Sequence, residues 1–277
     1  MAKYLKSDDF TNNPAARVPV CLCIDLSGSM GTVEEGTYKY TGKQKVIDGK
    51  VYDIVEGGIS RIDKLQEGIQ LFFDAIKDDD MAIDAAEVAI VGFSDDVKCV
   101  LNFNHIENQE IPNLCLGNDY TKMGEGVKLA LKMLDDRKEL YKSKGIQYYQ
   151  PWLVIMTDGE NNGDITELRE AIDLTIQKVN SGKLTVFPIG IGNEADMNTL
   201  AKFSPKRPPL RLKGLKFKEF FQWLSQSISR TSVSKPGEKI VLSSVEGWGT
   251  PQSISRTSVS KPGEKIVLPP VEGWGTL

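Results

Sequence analysis

Four short runs of consecutive apolar residues recur along the chain, and each is bounded by turn residues. They are RVPVCLCIDL at 17–26, AEVAIVGF at 86–93, PWLVIMT at 151–157 and KLTVFPIGI at 183–191. Runs of this length and apolarity, rich in Val and Ile, are too short for buried helices and are typical of strands buried on both faces. The pattern therefore predicts four central strands.

Between these runs, apolar residues return at the spacing of an amphipathic helix. The segments are 59–79, 123–137 and 164–182, the last with Asp164 as a predicted N-cap, and 215–229 forms a final packed helix. Fully buried strands that alternate with helices indicate an α/β fold, a doubly wound and mainly parallel sheet flanked by helices.

Two regions do not follow the alternation. Residues 36–58 are rich in Tyr, Val and Ile with turn glycines, which predicts a β-hairpin inserted between the first strand and the first helix. The C-terminal region contains two near-identical copies, 226–250 and 252–276, which differ only at Ser243-Ser244 and Pro269-Pro270. We predict an N-terminal arm at 1–15, one domain at 16–229 and an extended, duplicated tail at 230–277.

The tail holds two further sets of candidate residues. Thr231, Ser232 and Ser234 are candidate phosphorylation sites, with a solvated linker as the alternative. Trp248 and Trp274 are candidate anchors that dock the tail on the domain. Because the proline pair stiffens the second copy, we expect that copy to dock and the first to bulge, or the spare copy to associate with a second molecule.

Composition and charge narrow the classes of function. The net charge is −4, which gives no basic face for nucleic acid, and no apolar run is long enough to cross a bilayer. The N-terminal residues show no apolar signal segment, so we expect a cytoplasmic protein. One histidine excludes multi-histidine metal sites, and the four cysteines lack zinc-site spacing and are expected to be buried structural thiols.

The first predicted strand ends in Asp25-Leu26-Ser27-Gly28-Ser29. Ligands of open parallel sheets bind beyond the carboxyl ends of the strands, which is where this sequence lies. One carboxylate and two hydroxyls form a hard-oxygen set that suits Mg²⁺, Ca²⁺ or Mn²⁺. A strand end followed by a turn that only caps the loop is the structural alternative.

Two more oxygen ligands are expected from other loops at the same edge. Thr121 precedes a predicted helix, and Asp158 follows the strand 151–157. The acidic runs at Asp78–Asp80 and Asp95-Asp96 are instead typical of turns and helix ends.

Together Asp25, Ser27, Ser29, Thr121 and Asp158 resemble the metal-ion-dependent adhesion site of von Willebrand factor A domains, over about residues 16–205. The C-terminal sequence, including PGEKIVLPPVEGW, resembles the bacterial TerY-like (tellurite-resistance) branch of that family. The long insertion at 36–58 and the duplicated tail depart from the family pattern.

The resemblance implies the role of each residue. Asp25, Ser27 and Ser29 would hold one divalent cation, magnesium first and manganese or calcium as alternatives, directly or through water. Thr121 would join directly in one conformation, and Asp158 would act through water. A partner's Asp or Glu would complete the coordination. TerY-like proteins are associated with gene sets that include a kinase and a phosphatase, so the resemblance implies such a partner in a stress-response complex.

These observations leave two classes of function. The first is a non-catalytic, metal-dependent protein-binding module. The second is a magnesium-dependent phosphoryl hydrolase on a similar α/β fold. The hydrolase would be favoured by a second Asp two residues after Asp25, where this sequence has Ser27, and by an acid–base histidine. We therefore expect no catalysis.

Overall fold

A seven-stranded sheet forms the centre of the molecule. The computed structural model describes residues 13–47, 49–118, 120–212 and 214–234, together with 242, 245 and 248–251. The order of strands in the sheet is β5-β4-β1-β6-β7-β8-β9. The strands are β1 Val18–Asp25, β4 Ala86–Phe93, β5 Val97–Leu101, β6 Trp152–Thr157, β7 Thr185–Gly190, β8 Leu210–Leu212 and β9 Gly249–Pro251. The edge strands β5 and β9 run antiparallel, and all other neighbours are parallel. The predicted fold class is confirmed.

Within the described part of the chain, six α-helices cover the two faces of the sheet. They are α1 Arg61–Lys77, α2 Asp80–Ala85, α3 Met123–Lys144, α4 Ile165–Asn180, α5 Met197–Phe203 and α6 Phe217–Ser232, with short 3₁₀ turns at Gly28–Gly31 and Ile106–Asn108. The apolar sides of α1, α2 and α6 form one core with the sheet, and those of α3, α4 and α5 form the other. Among the described residues, no helix has the length and apolarity to cross a membrane.

Successive side chains of β1 point to opposite faces of the sheet and contribute to both hydrophobic cores. Leu22 packs into the core under α1 and α6, whereas Cys21 and Cys23 pack into the opposite core. The expectation of four buried thiols is correct for this pair only. Cys99 and Cys115 are exposed, because Cys99 lies on the edge strand β5 and Cys115 on a loop.

Side chains cap the N-termini of several helices, and Asp164 caps α4 as the sequence predicted. Asp164 accepts hydrogen bonds from the first backbone N–H groups of α4, and Asp79 does the same for α2. Ser60 and Asp63 form a reciprocal capping box at the start of α1. These bonds satisfy the free N–H groups of the first turn and fix where each helix begins.

The inserted segment is a β-hairpin that forms a separate two-stranded sheet. Its strands are β2 Val33–Ile47 and β3 Lys50–Ser60, paired antiparallel. The hairpin therefore extends beyond the predicted limits of 36 and 58. It is the direct connection between the turn after β1 and the first residue of α1.

The C-terminal segment differs from the expected arrangement of the tail. Trp248, from the first copy of the repeat, is 6% exposed and packs against Phe220 and Trp223. The strand that follows it, β9, pairs with β8 at the sheet edge. The expectation that the first copy bulges is wrong, because its proximity to α6 brings its Trp onto the aromatic face of that helix. Trp274 lies outside the described residues.

The candidate phosphorylation sites lie in and just after the last turns of α6. The side chain of Thr231 is buried and donates to the Ser227 carbonyl at 2.8 Å. Ser232 and Ser234 are half-buried, and each donates to a carbonyl of the preceding turn. Residues 230–232 thus continue the helix, where the sequence suggested a linker.

Candidate metal site

The strand order determines where the candidate site lies. From β1 the chain passes to β4 on one side of the strand and later to β6 on the other side. The carboxyl ends of β1 and β6 therefore flank the point at which the order of strands reverses. Open α/β sheets bind ligands in the crevice at this point.

Asp25 is the last residue of β1, and its carboxylate is completely buried. One oxygen accepts a hydrogen bond from the backbone N–H of Ser27 at 2.9 Å, and the other accepts from Thr157 Oγ1 at 2.5 Å. Burial raises the pKa of Asp25 to about 7, and the negative charge of Asp158 adds to the rise. The site therefore contains a poorly solvated carboxylate.

Two serine hydroxyls connect the two sides of the crevice. Ser27 Oγ and Ser29 Oγ lie 3.0 Å apart, and Ser29 Oγ donates to Asp158 Oδ1 at 2.8 Å. The 3₁₀ turn Gly28–Gly31 reverses the chain after β1 and brings Ser29 back toward β6. Asp158 directly follows β6 and is also buried.

Asp158 is paired with an arginine that the sequence analysis did not identify. Arg61 Nη1 donates to Asp158 Oδ2 at 2.7 Å, and Arg61 Nε donates to Glu34 Oε1 at 2.5 Å. Burial raises the pKa of Asp158, and the hydrogen bond and charge of Arg61 offset part of that rise. The arginine connects the base of the hairpin to the candidate site.

Thr121 lies at the same edge, on the loop before α3, and its side chain is buried. Its backbone N–H donates to Asn162 Oδ1 at 2.5 Å, and the Met123 N–H donates to Asn161 Oδ1 at 3.1 Å. These asparagines belong to the loop after β6. The loop that carries Thr121 is therefore attached to the loop that begins at Asp158.

The structure brings Asp25, Ser27, Ser29 and Asp158 into one hydrogen-bonded cluster and holds Thr121 in the adjoining loop. Among the described residues, no group of three His, Cys, Asp or Glu side chains is arranged for a metal. The donor set consists instead of two carboxylates and three hydroxyls. Hard oxygens of this kind fit Mg²⁺, Mn²⁺ or Ca²⁺ and not a soft metal.

The other acidic candidates have structural contacts. Asp95 accepts from both the backbone and the side-chain nitrogen of Asn118, at 2.8 and 3.0 Å, and these bonds lower the pKa of Asp95 to about 2. The Asn118 carbonyl in turn accepts from the Gly28 N–H at 2.9 Å. Asp95 thus supports the loop beside the serine turn.

Sequence patterns gave little indication of Arg61, Glu34, Asn161 and Asn162. The one local signal was the pair of asparagines in TDGENNG, because Asn side chains commonly cap loops and helix ends. Arg61 looked like an ordinary first-turn residue of α1, and its partner Asp158 lies 97 residues away.

A family model for the von Willebrand factor type A domain matches residues 20–211, well over half of the chain. The chain belongs to this family. VWA domains are generally metal-dependent protein-interaction modules, and the candidate site of this VWA domain lies at the strand edge described above. No curated protein sequence matches this chain.

Solved structures with the same fold are distant in sequence. A von Willebrand factor type A protein from Catenulispora acidiphila aligns with a TM-score of 0.52 and 15% identity, over 82% of this chain and 47% of that one. The D319A mutant of the PilB minor pilin from Streptococcus sanguinis aligns with a TM-score of 0.53 and 15% identity, over 80% and 64%. This VWA domain thus spans about half to two thirds of those chains, and the likeness shows the fold alone.

Proposed function

We propose that this protein is a non-catalytic binding module that holds one divalent cation through Asp25, Ser27, Ser29, Thr121 and Asp158, and that the cation binds an acidic residue of a partner protein. The observation that carries the proposal is the buried Asp25 carboxylate at a strand end. It is linked to Asp158 through the backbone N–H of Ser27 and the hydroxyls of Ser27 and Ser29. A buried carboxylate is costly unless a cation or donors compensate it.

The charges of the site support Mg²⁺ as the ion, with Mn²⁺ or Ca²⁺ as alternatives. Two carboxylates are the only anionic ligands in the proposed set, and Arg61 already neutralises part of the charge of Asp158. A divalent ion with so few anionic ligands keeps a strong affinity for one more oxygen anion. An Asp or Glu of a partner supplies that group.

The cellular role is proposed from the resemblance to TerY-like proteins. In this proposal the partner is a kinase or phosphatase component of a tellurite- or stress-response complex, and the protein works in the cytoplasm beside it. Tail-mediated self-association is a further element of the proposal. Neither nucleic acid nor a membrane is a proposed partner.

Titration calorimetry with Mg²⁺ and Mn²⁺ on the full chain tests the metal site. We expect one ion per chain for the wild type and no binding for Asp25→Ala. Asp96→Ala is the matched control, because Asp96 is an exposed carboxylate on a neighbouring turn. Equal affinity in wild type and Asp25→Ala would refute the site.

The binding and hydrolase functions are separated by two assays. A binding module loses its partner in EDTA and recovers it when Mg²⁺ is restored, and a generic phosphatase substrate is not turned over. Magnesium-dependent turnover that disappears in Asp25→Asn would instead establish the phosphoryl hydrolase.

A further inference from the structure

The base of the hairpin β2–β3 is held on the domain by two ion pairs and a backbone hydrogen bond. Arg61 Nε donates to Glu34 Oε1 at 2.5 Å, and Lys64 Nζ lies 3.4 Å from Glu35 Oε2. The backbone N–H of Arg61 donates to the Thr32 carbonyl at 3.1 Å. All three contacts join residues 32–35 to the start of α1, so this end of the hairpin is fixed.

Directly beyond this base, both strands of the hairpin contain glycines with positive φ angles. The angles are 83° at Gly36, 84° at Gly57 and 78° at Gly58. A Cβ atom at Gly36 would lie 3.4 Å from Gly58 Cα, so these glycines adjoin across the two strands. The pairing of β2 with β3 also shifts register twice between Val33 and Tyr38. Glycines and bulges interrupt the regular ladder and let a strand bend, so the hairpin can bend at this level.

Residues 37–56 extend beyond the bend and do not belong to the hydrophobic core. None of the described side chains in this segment is buried. Tyr38 and Tyr40 are 41% and 67% exposed, and their rings contact each other edge to face with centroids 5.6 Å apart. A two-stranded ribbon is at best marginally stable alone in water. The ribbon therefore gains stability when its tyrosine rings pack against another surface.

The ribbon faces the turn Gly28–Gly31 across a cleft of about 510 Å³. On the domain side the lining includes the exposed Leu116 and three glycines, which are Gly28, Gly31 and Gly117. On the ribbon side it includes Tyr38, Tyr40, Lys45 and residues 52–55. The formal charges of Lys45 and Asp53 oppose each other, so the cleft offers no net charge to a ligand. Glycines place no side chain in the cleft, so aromatic rings can approach its floor.

We propose that residues 37–56 form a lid that bends at Gly36, Gly57 and Gly58 and closes on Leu116 and the turn Gly28–Gly31. The structure shows the open state. In the closed state the tyrosine rings pack against Leu116, and the lid covers the turn that contains Ser29. The chain's own surface is the one that covers the rings, because the base of the hairpin tethers them beside it and makes the contact intramolecular. The inference concerns contacts within this chain and does not depend on the proposed cation or partner.

Pulsed electron spin resonance on the full chain tests for two positions of the lid. One nitroxide is attached to the native, exposed Cys115 and a second to Lys43→Cys on the ribbon. The background is Cys99→Ser, so that the buried Cys21 and Cys23 are the only other thiols. We expect a longer distance that matches the structure and a shorter distance from the closed lid. A single narrow distance that matches the structure would overturn the proposal.

Two double variants test which side chains hold the lid closed. Tyr38→Ser/Tyr40→Ser should decrease the population with the shorter distance by about fivefold or more, because two aromatic contacts are lost. Val46→Ser/Val51→Ser is the matched control, since it removes two exposed apolar side chains of the same ribbon that do not line the cleft. It should change that population by no more than about twofold. Equal populations in wild type and the tyrosine variant would contradict the closed state described above.

A pair of single variants tests the bend. Gly36→Ala places a side chain at a positive φ angle, which should change the ratio of the two distances by about fivefold or more, because closing changes the backbone there. Gly49→Ala is the control, since its φ angle of 73° carries the same backbone cost at the tip of the hairpin. It should leave the ratio within about twofold of wild type. An unchanged ratio in Gly36→Ala would overturn the proposed hinge.

Samples with one label separate a lid from association between molecules. Lys43→Cys in a Cys99→Ser/Cys115→Ser background carries a single nitroxide and should give no defined distance. A defined distance between singly labelled molecules would show that the ribbon packs against a second copy of the chain. That result would overturn the lid.

Discussion

The Arg61 guanidinium and the Asp158 carboxylate form a buried ion pair, with Nη1 and Oδ2 2.7 Å apart, inside the proposed metal site. The same guanidinium contacts Glu34 at the base of the hairpin. Arg61 and the proposed divalent ion would therefore both bind the Asp158 carboxylate. Arg61 satisfies Asp158 when no ion is bound, and its positive charge opposes the approach of an ion.

Arg61→Gln should therefore change stability and metal affinity in opposite directions. The metal-free variant should lose about 3–5 kcal/mol of unfolding free energy, because Asp158 remains buried without its partner. Its affinity for Mn²⁺ should rise by about tenfold or more, since a nearby positive charge has been removed. Urea unfolding measures the stability, and calorimetry measures the Mn²⁺ affinity.

Arg61→Lys keeps the positive charge and is the control for Arg61→Gln. Lower Mn²⁺ affinity in Arg61→Gln would mean that Arg61 orients Asp158 for the ion and does not compete with it.

Asp25→Asn should separate metal binding from folding. The substitution removes a buried negative charge that faces Asp158 and retains an oxygen that can accept from the Ser27 N–H. We expect the metal-free variant to be as stable as wild type or more stable, by up to about 2 kcal/mol. Added Mg²⁺ should raise the melting temperature of wild type and not that of the variant. Asp96→Asn should behave as wild type, and a large loss of stability in metal-free Asp25→Asn would contradict the prediction.

The two copies of VEGWG provide a matched pair for testing the tail. Trp248 packs against Phe220 and Trp223, so Trp248→Ala should reduce the unfolding free energy by about 3–5 kcal/mol. Trp274→Ala removes the equivalent tryptophan of the second VEGWG copy. It should change the unfolding free energy by no more than about 0.5 kcal/mol. Urea unfolding of the two variants and of the double variant measures this. A larger loss in Trp274→Ala would show that the second copy occupies the aromatic face of α6.

Thiol chemistry should distinguish the four cysteines. Burial raises the pKa of the Cys21 and Cys23 thiols well above the usual value, so little reactive thiolate forms. Burial also blocks the access of a reagent to these thiols. Cys99 and Cys115 are exposed. A thiol reagent should modify these two in the folded protein and all four after denaturation, as mass spectrometry of the labelled peptides can show. Rapid labelling of Cys21 or Cys23 in the folded state would contradict the packing of β1.

The main strands and helices were predictable because their signals are local. The continuous apolar runs became β1, β4, β6 and β7, and the amphipathic segments became α1, α3, α4 and α6. The short strands β8 and β9 were missed, since three residues carry no periodic signal. The five proposed ligands remain a prediction, and the sequence could suggest them because each lies at or just after a strand end or before a helix.

The sequence by itself determined the α/β class, the hairpin insertion and the oxygen-rich turn after β1, since all three depend on the order and spacing of nearby residues. Only the tertiary structure decided that β1 and β6 are neighbours, which places Asp25 and Asp158 in one crevice. It alone revealed that Arg61 pairs with Asp158 and that Trp248 packs on α6. Contacts between residues far apart in the chain depend on how helices and strands pack together. Local patterns of hydrophobicity and turn residues do not determine that packing.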